Sequence, residues 1–149
     1  MKAINRTKKI KKSILDPVNE IRAKNAGEDL DELGRIYGTD KIGIHFYTQH
    51  YKHHFEHLRN RKLNLLEIGV GGYDKPFSGG KSLRMWKKYF PEGNIFSIDI
   101  YDKSALQEER IRIFQGSQVD SEFLEKVCAE IGDLDIIIDD GSHINEPLS

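Results

Sequence analysis

The sequence has one cysteine, Cys128, one tryptophan, Trp86, and two methionines in 149 residues. A lone thiol excludes an intramolecular disulfide and fits a reducing cytosol. No apolar run approaches the ~20 residues needed to cross a bilayer. The basic start (Lys2, Arg6, Lys8, Lys9, Lys11, Lys12) leads into no apolar stretch long enough for a secretory signal. These absences predict a cytoplasmic protein with no membrane partner. Charge of one sign is lacking too: 23 Lys plus Arg against 24 Asp plus Glu leave a formal net charge of -1, with no global field to attract nucleic acid. The basic terminus has no interleaved aromatics and reads as a solvated, flexible segment rather than an RNA-binding arm. Neither an internal repeat nor a low-complexity tract is present.

What is present is a chain with 38% hydrophobic and 32% charged residues, enough for one ordinary domain. The stretch that organises it is Leu63 to Gly72, Leu-Asn-Leu-Leu-Glu-Ile-Gly-Val-Gly-Gly. Its apolar residues, ended by glycines, predict a short buried parallel strand entering a tight turn. Gly69, Gly71 and Gly72 can take positive φ there and let a ligand approach backbone N–H groups. Glu67 sits at the carboxyl end of that strand, where open α/β sheets bind ligands. A dinucleotide fingerprint needs a third glycine where Asp74 stands, which argues against NAD. An acid two places before the first glycine instead resembles the first motif of class I S-adenosylmethionine (SAM) methyltransferases.

Around this stretch the chain alternates strands and helices. Glu28 to Tyr37 has a helical period, with Gly38 as its C-cap. A second helix from about Phe46 to Arg59 carries Tyr47, Tyr51, Phe55 and Leu58 as one stripe. His45, His50, His53, His54 and His57 crowd this segment. Pairs four apart can share a metal, but no acid or cysteine completes a zinc pattern, and packing or surface roles account for them better. Ser82 is expected to cap the next helix, which Pro91 stops, and the free N–H groups at that start suit a ligand carboxylate. Asn94 to Ile100 reads as a strand carrying Asp99, placed to accept hydrogen bonds from both hydroxyls of a ribose. Arg110 to Phe114 is a third strand, and the polar loop after it, including Ser117 and Gln118, can meet an adenine edge. Asp120 or Ser121 then caps a helix running to about Ile131, with Phe123, Leu124, Val127 and Cys128 inward and Gly132 at its end. Leu134 to Ile138 is a fourth buried strand. The pattern predicts an α/β fold with a parallel sheet and right-handed crossovers.

The fourth strand delivers Asp139-Asp140-Gly141-Ser142-His143 to the edge where the glycines lie. Magnesium prefers carboxylate oxygen, and a nearby neutral imidazole can take a proton from a polarised hydroxyl. Asp140 is thus a candidate metal ligand and His143 a candidate general base. Asp139 either orients the loop or touches the cofactor.

Thr39-Asp40-Lys41, His45-x-Tyr47-Thr48-x-x-Tyr51, Leu66-Glu67-Ile68-Gly69-Val70-Gly71-Gly72-Tyr73, Gly79-Gly80-x-Ser82-Leu83-Arg84-Met85-Trp86 and Ile137-Ile138-Asp139-Asp140-Gly141-Ser142-His143 together resemble the macrolide-sugar O-methyltransferases of the mycinamicin and tylosin pathways. The resemblance implies a Rossmann-like class I methyltransferase with helices on both faces of the sheet. It implies methyl transfer from SAM to a hydroxyl of a sugar or other glycosylated small molecule, aided by magnesium. It would assign Glu67, Gly69, Gly71, Asp99 and Gln118 to the cofactor, Asp140 to the metal and His143 as base; the reading of the residues adds Gly72, Ser82, Ser117 and Asp139 to the expected cofactor contacts. Ser117 departs from the acid common there in the family. Such enzymes continue past the position of Ser149, so the resemblance implies a truncated form carrying only the cofactor half. The expected organisation is a basic flexible terminus at 1–27, a helical lid or extension at 28–60 and the SAM-binding half domain at 61–149. Without later strands the fourth would be a bare apolar edge, which predicts either a homo-oligomer or a marginally stable chain of low solubility. A catalytically incompetent SAM-binding fragment and a nucleic-acid methyltransferase are the alternative readings.

Overall fold

The computed structural model describes residues 17–42 and 47–141. The helices are α1 (Pro17–Ala26), α2 (Leu30–Tyr37), α3 (Tyr47–Phe55), α4 (Lys81–Tyr89) and α5 (Ser121–Ile131). The strands are β1 (Asn64–Ile68), β2 (Asn94–Asp99), β3 (Ile111–Gln115) and β4 (Ile136–Asp139). They form one sheet in the order β3-β2-β1-β4, every neighbouring pair parallel. The alternation of strand and helix read from the sequence is therefore realised as a doubly covered parallel sheet.

Side-chain alternation along the strands makes two cores. Leu65, Ile95, Ile111, Ile113, Ile136 and Ile138 face α2 and α4, which contribute Leu30, Leu33, Ile36, Leu83, Met85, Trp86 and Tyr89. Leu66 and Ile98 point the other way and meet Val127, with Phe96, Phe114, Phe123 and Leu124 around them. Period-two strands and amphipathic helices thus fit face to face.

Local caps explain most boundaries. Asp29 caps α2 by accepting from the Glu32 amide, and Gly38 ends it in the left-handed conformation. Asp120 caps α5 in the same way through Phe123. Four expectations need correction. Ser82 does not cap α4: Gly80 is the cap, and Ser82 lies inside the helix with its hydroxyl turned inward. Cys128 is exposed, because the inward stripe of α5 runs through Phe123, Leu124, Val127 and Ile131 and passes beside it. Residues 17–26, expected within a flexible terminus, form α1. Only Ala23 is buried there while Val18 and Ile21 face solvent, so no apolar stripe announces the helix. Tyr51, Phe55 and Leu58 pack on the core as anticipated, whereas Tyr47 is exposed.

The register decides the site. Ile68 pairs with Ile98 and with Asp139, and Asp99 pairs with Gln115. The turns after all four strands therefore emerge along one edge of the sheet.

Candidate cofactor site

The turn after β1 is fixed by its neighbours on both sides. The Gly69 amide donates to the Ile98 carbonyl at 2.8 Å, and the Val70 amide to Asp99 Oδ2 at 2.9 Å. A side chain on Gly69 would place its Cβ 2.7 Å from the Asp140 carbonyl oxygen, so only glycine lets the turns after β1 and β4 touch. Gly71 differs: its φ is 79° and nothing lies within 4 Å of where a Cβ would be. The protein leaves this backbone face open.

The loop from Gly71 to Gly80 is held from below. The Gly80 amide donates to the Val70 carbonyl at 2.8 Å. Lys103 is completely buried, and its ammonium donates to the carbonyls of Lys75 at 2.8 Å and Ser78 at 3.0 Å. Sequence reasoning missed Lys103: in Tyr101-Asp102-Lys103-Ser104 it looks like any turn lysine, and its role depends on a loop 25 residues away.

Asp99 is half-buried at the end of β2. Its Oδ1 accepts from the Tyr101 amide at 3.0 Å, while Oδ2 accepts from Val70. Each oxygen keeps lone-pair capacity for a ligand hydroxyl. Beyond β3, Ser117 Oγ accepts from the Val119 amide at 3.3 Å and shapes the loop. Gln118 is exposed, and its Oε1 lies 2.2 Å from where a Cβ on Gly141 would fall, so this loop rests on the turn after β4. Ser117, Gln118, Asp99 and the glycines therefore share one edge, as the sequence predicts.

Glu67 lies beneath that edge, with no exposed surface. Ser82 Oγ donates to its Oε1 at 2.5 Å and Trp86 Nε1 to its Oε2 at 2.5 Å. The ammonium of Lys41, 3% exposed, stands 3.4 Å from Oε1 and 2.5 Å from Asp140 Oδ2. The polar atoms of Glu67 and Ser82 are thus spent inside the protein. Burial pushes the Glu67 carboxyl above the usual carboxylate range, although Lys41, Ser82 and Trp86 pull it down. Burial works to lower Lys41, but Glu67 and then Asp140 outweigh it and hold the ammonium above its ordinary value. Tyr51, edge-on to Trp86, is raised by burial, with Lys41 opposing. No periodicity or motif marks Lys41 as buried; only its place in Thr39-Asp40-Lys41 singles it out.

Asp139 Oδ1 accepts from the Gly141 amide at 3.1 Å, and both Asp139 and Asp140 retain exposed surface. His143, Ser142 and His45 lie outside the described residues. His50, His53, His54 and His57 are exposed. Among the described residues, no group of three or more His, Cys, Asp or Glu side chains gathers to hold a metal ion. The described residues alone do not assemble a magnesium site. No described helix is long and apolar enough to cross a membrane.

No family model matches the chain. It is 54% identical over 118 residues to mycinamicin VI 2''-O-methyltransferase of Micromonospora griseorubida, a match covering 78% of this chain and 30% of that protein. It is 50% identical over 123 residues to demethylmacrocin O-methyltransferase of Streptomyces fradiae, covering 82% and 31% respectively. Among solved structures, MycE methyltransferase of the mycinamycin pathway in complex with Mg, S-adenosylhomocysteine (SAH) and mycinamycin VI superposes with a TM-score of 0.76 at 53% identity, over 80% of this chain and 33% of MycE. The chain thus spans about a third of the length of the relatives it matches. Over the stretch it shares with them, the chain is similar in sequence and in fold to these O-methyltransferases.

Proposed function

We propose that this chain carries the SAM-binding part of an O-methyltransferase whose acceptor is a hydroxyl on the sugar of a glycosylated small molecule. The observation that carries this reading is the open backbone of Gly71 beside the Asp99 carboxylate. A positive-φ residue with empty space above it suits a ligand pressed against main chain. In this reading Asp99 takes the two ribose hydroxyls, and Gln118 and Ser117 border the adenine. Gly69 and Gly72 keep the turn close to its neighbours, while Glu67 and Ser82 brace it from behind. Bound SAM would supply an activated methyl group on sulfonium. The chain's own task is to orient that group and to exclude water from it. His143 is proposed as the base that takes the hydroxyl proton. Asp140 is proposed as a magnesium ligand, in line with the relative solved with that ion.

The Lys41 ammonium on Asp140 favours a second reading, a cofactor-binding unit without turnover of its own. One titration separates the possibilities. The 149-residue chain is titrated with SAH in a calorimeter, with and without magnesium, and then assayed with glycoside acceptors. Saturable binding that disappears in Asp99→Ala, followed by methylated product, supports the first reading. Binding without product supports the second, and no binding by the folded chain removes both. RNA binding that falls steeply with salt would instead favour a nucleic-acid acceptor.

A further inference from the structure

The part of the fold that this function does not absorb is Lys41. It precedes the sheet in sequence yet sits under the sheet's functional edge, and its place there is built. Gly38 turns the chain at the end of α2, and the Thr39 amide returns to the Gly34 carbonyl at 3.1 Å. Gly34 is the exception inside α2: a Cβ on it would fall 2.4 Å from Ile42 Cγ2, so glycine allows residues 39–42 to fold back against the helix. Thr39, itself buried, accepts from the Lys41 amide through Oγ1 at 3.3 Å. The ammonium then ends between Glu67 of β1 and Asp140 after β4.

From this geometry we infer that Lys41 is a positioning residue: its ammonium clamps the Glu67 and Asp140 carboxylates together and thereby sets the glycine turn and the Asp139–Asp140 turn at the spacing the cofactor requires. Without it, two carboxylates converge with no cation between them and must move apart. Gly69 would follow, because its backbone touches that of Asp140. A long, flexible, strongly solvated side chain is confined at 3% exposure for this purpose. The inference rests on the SAM-binding reading, but its first test needs no ligand.

Amide hydrogen exchange followed by NMR on the full chain compares Lys41→Met with the parent. Exchange should rise at least tenfold at Asp140, bonded to the Ile68 carbonyl, and at Gly69, bonded to that of Ile98. It should stay unchanged at Ile95, bonded to the Arg110 carbonyl at the opposite end of the sheet. In calorimetry, Lys41→Met should weaken SAH at least tenfold, and Lys41→Arg, which restores the charge, should recover part of the loss. A purely structural lysine would lower the melting temperature without this selective exchange or charge-dependent recovery. If Lys41→Met does not fold, Asp140→Asn reads the clamp from its half-exposed end: exchange at Gly69 should rise while Ile95 holds. Unchanged SAH affinity in a folded Lys41→Met, or exchange that is unchanged or rises uniformly, overturns the inference. If the parent does not bind SAH, the methyltransferase reading fails, and selective exchange alone decides whether the clamp exists.

Discussion

The Asp99 carboxylate reaches from the end of β2 to the Val70 amide, 2.9 Å away in the neighbouring glycine turn. One side chain thus joins the two strand ends that the proposed cofactor must span. Replacing it removes a charge-assisted hydrogen bond of about 1.5–3 kcal/mol as well as any ribose contact. Asp99→Ala should therefore weaken SAH by at least tenfold in calorimetry, and Asp99→Asn by less, because the amide oxygen still accepts.

Gly71 and Gly79 separate ligand contact from folding. Both have positive φ, but a Cβ on Gly79 would fall 2.2 Å from the Gly71 carbonyl oxygen, whereas one on Gly71 meets open space. Gly71→Ala should cost roughly 1–3 kcal/mol from backbone strain alone while SAH affinity falls more than tenfold. Gly79→Ala should lose more stability than Gly71→Ala, with urea titration followed by circular dichroism as the measure.

Trp86 is buried with its indole N–H on Glu67 Oε2. Trp86→Phe leaves that oxygen without its donor in a site water does not reach, which costs about 1–3 kcal/mol. The loss should show as a lower urea midpoint by circular dichroism. Trp86→Phe removes the chain's one tryptophan, so fluorescence cannot follow it.

Alkaline pH should weaken the fold. Burial raises Tyr37, Tyr51 and Tyr89 above the ordinary tyrosine value of 10.0. The unfolded chain then loses these protons first, so their stabilisation is complete below pH 10.0 and is lost as pH rises through the higher folded values. Thermal melts from pH 8 to 11 should show a decline beginning near pH 10, and Tyr89→Phe should flatten it. A melting temperature flat to pH 11 would contradict this.

Among the described residues β4 pairs only with β1, and Ile137 on it is 62% exposed. Such an edge offers unpaired backbone and an apolar side chain to another chain. Light scattering should show association that grows with concentration, and Ile137→Lys should reduce it. A monodisperse monomer at high concentration in the parent would count against this.

Much of the frame can be read from the sequence because its signals are local. Asp120 and Gly132 bracket α5, Gly38 ends α2, and the run into Gly69 marks β1 as a buried strand. Asp99 is legible for the same reason, as an acid at the end of an apolar strand. The supports of the site are not legible, because each depends on partners distant in sequence. Lys41 meets Asp140 across 99 residues, and Lys103 meets Ser78 across 25. Ser82 has the composition of a cap, but Gly80 in the left-handed conformation starts the helix two residues earlier and leaves the serine free to brace Glu67. Cys128 reads as inward because it lies four residues after Leu124, yet the stripe leans to the side of Val127.

The amine of Lys103 is sealed beneath the loop whose carbonyls it holds. An acylating reagent reaches it only when residues 75–78 lift away. Its labelling half-life, set against that of a surface lysine such as Lys126, is therefore a clock for how often the loop opens. A bound ligand that presses on the loop should slow that clock without touching the lysine.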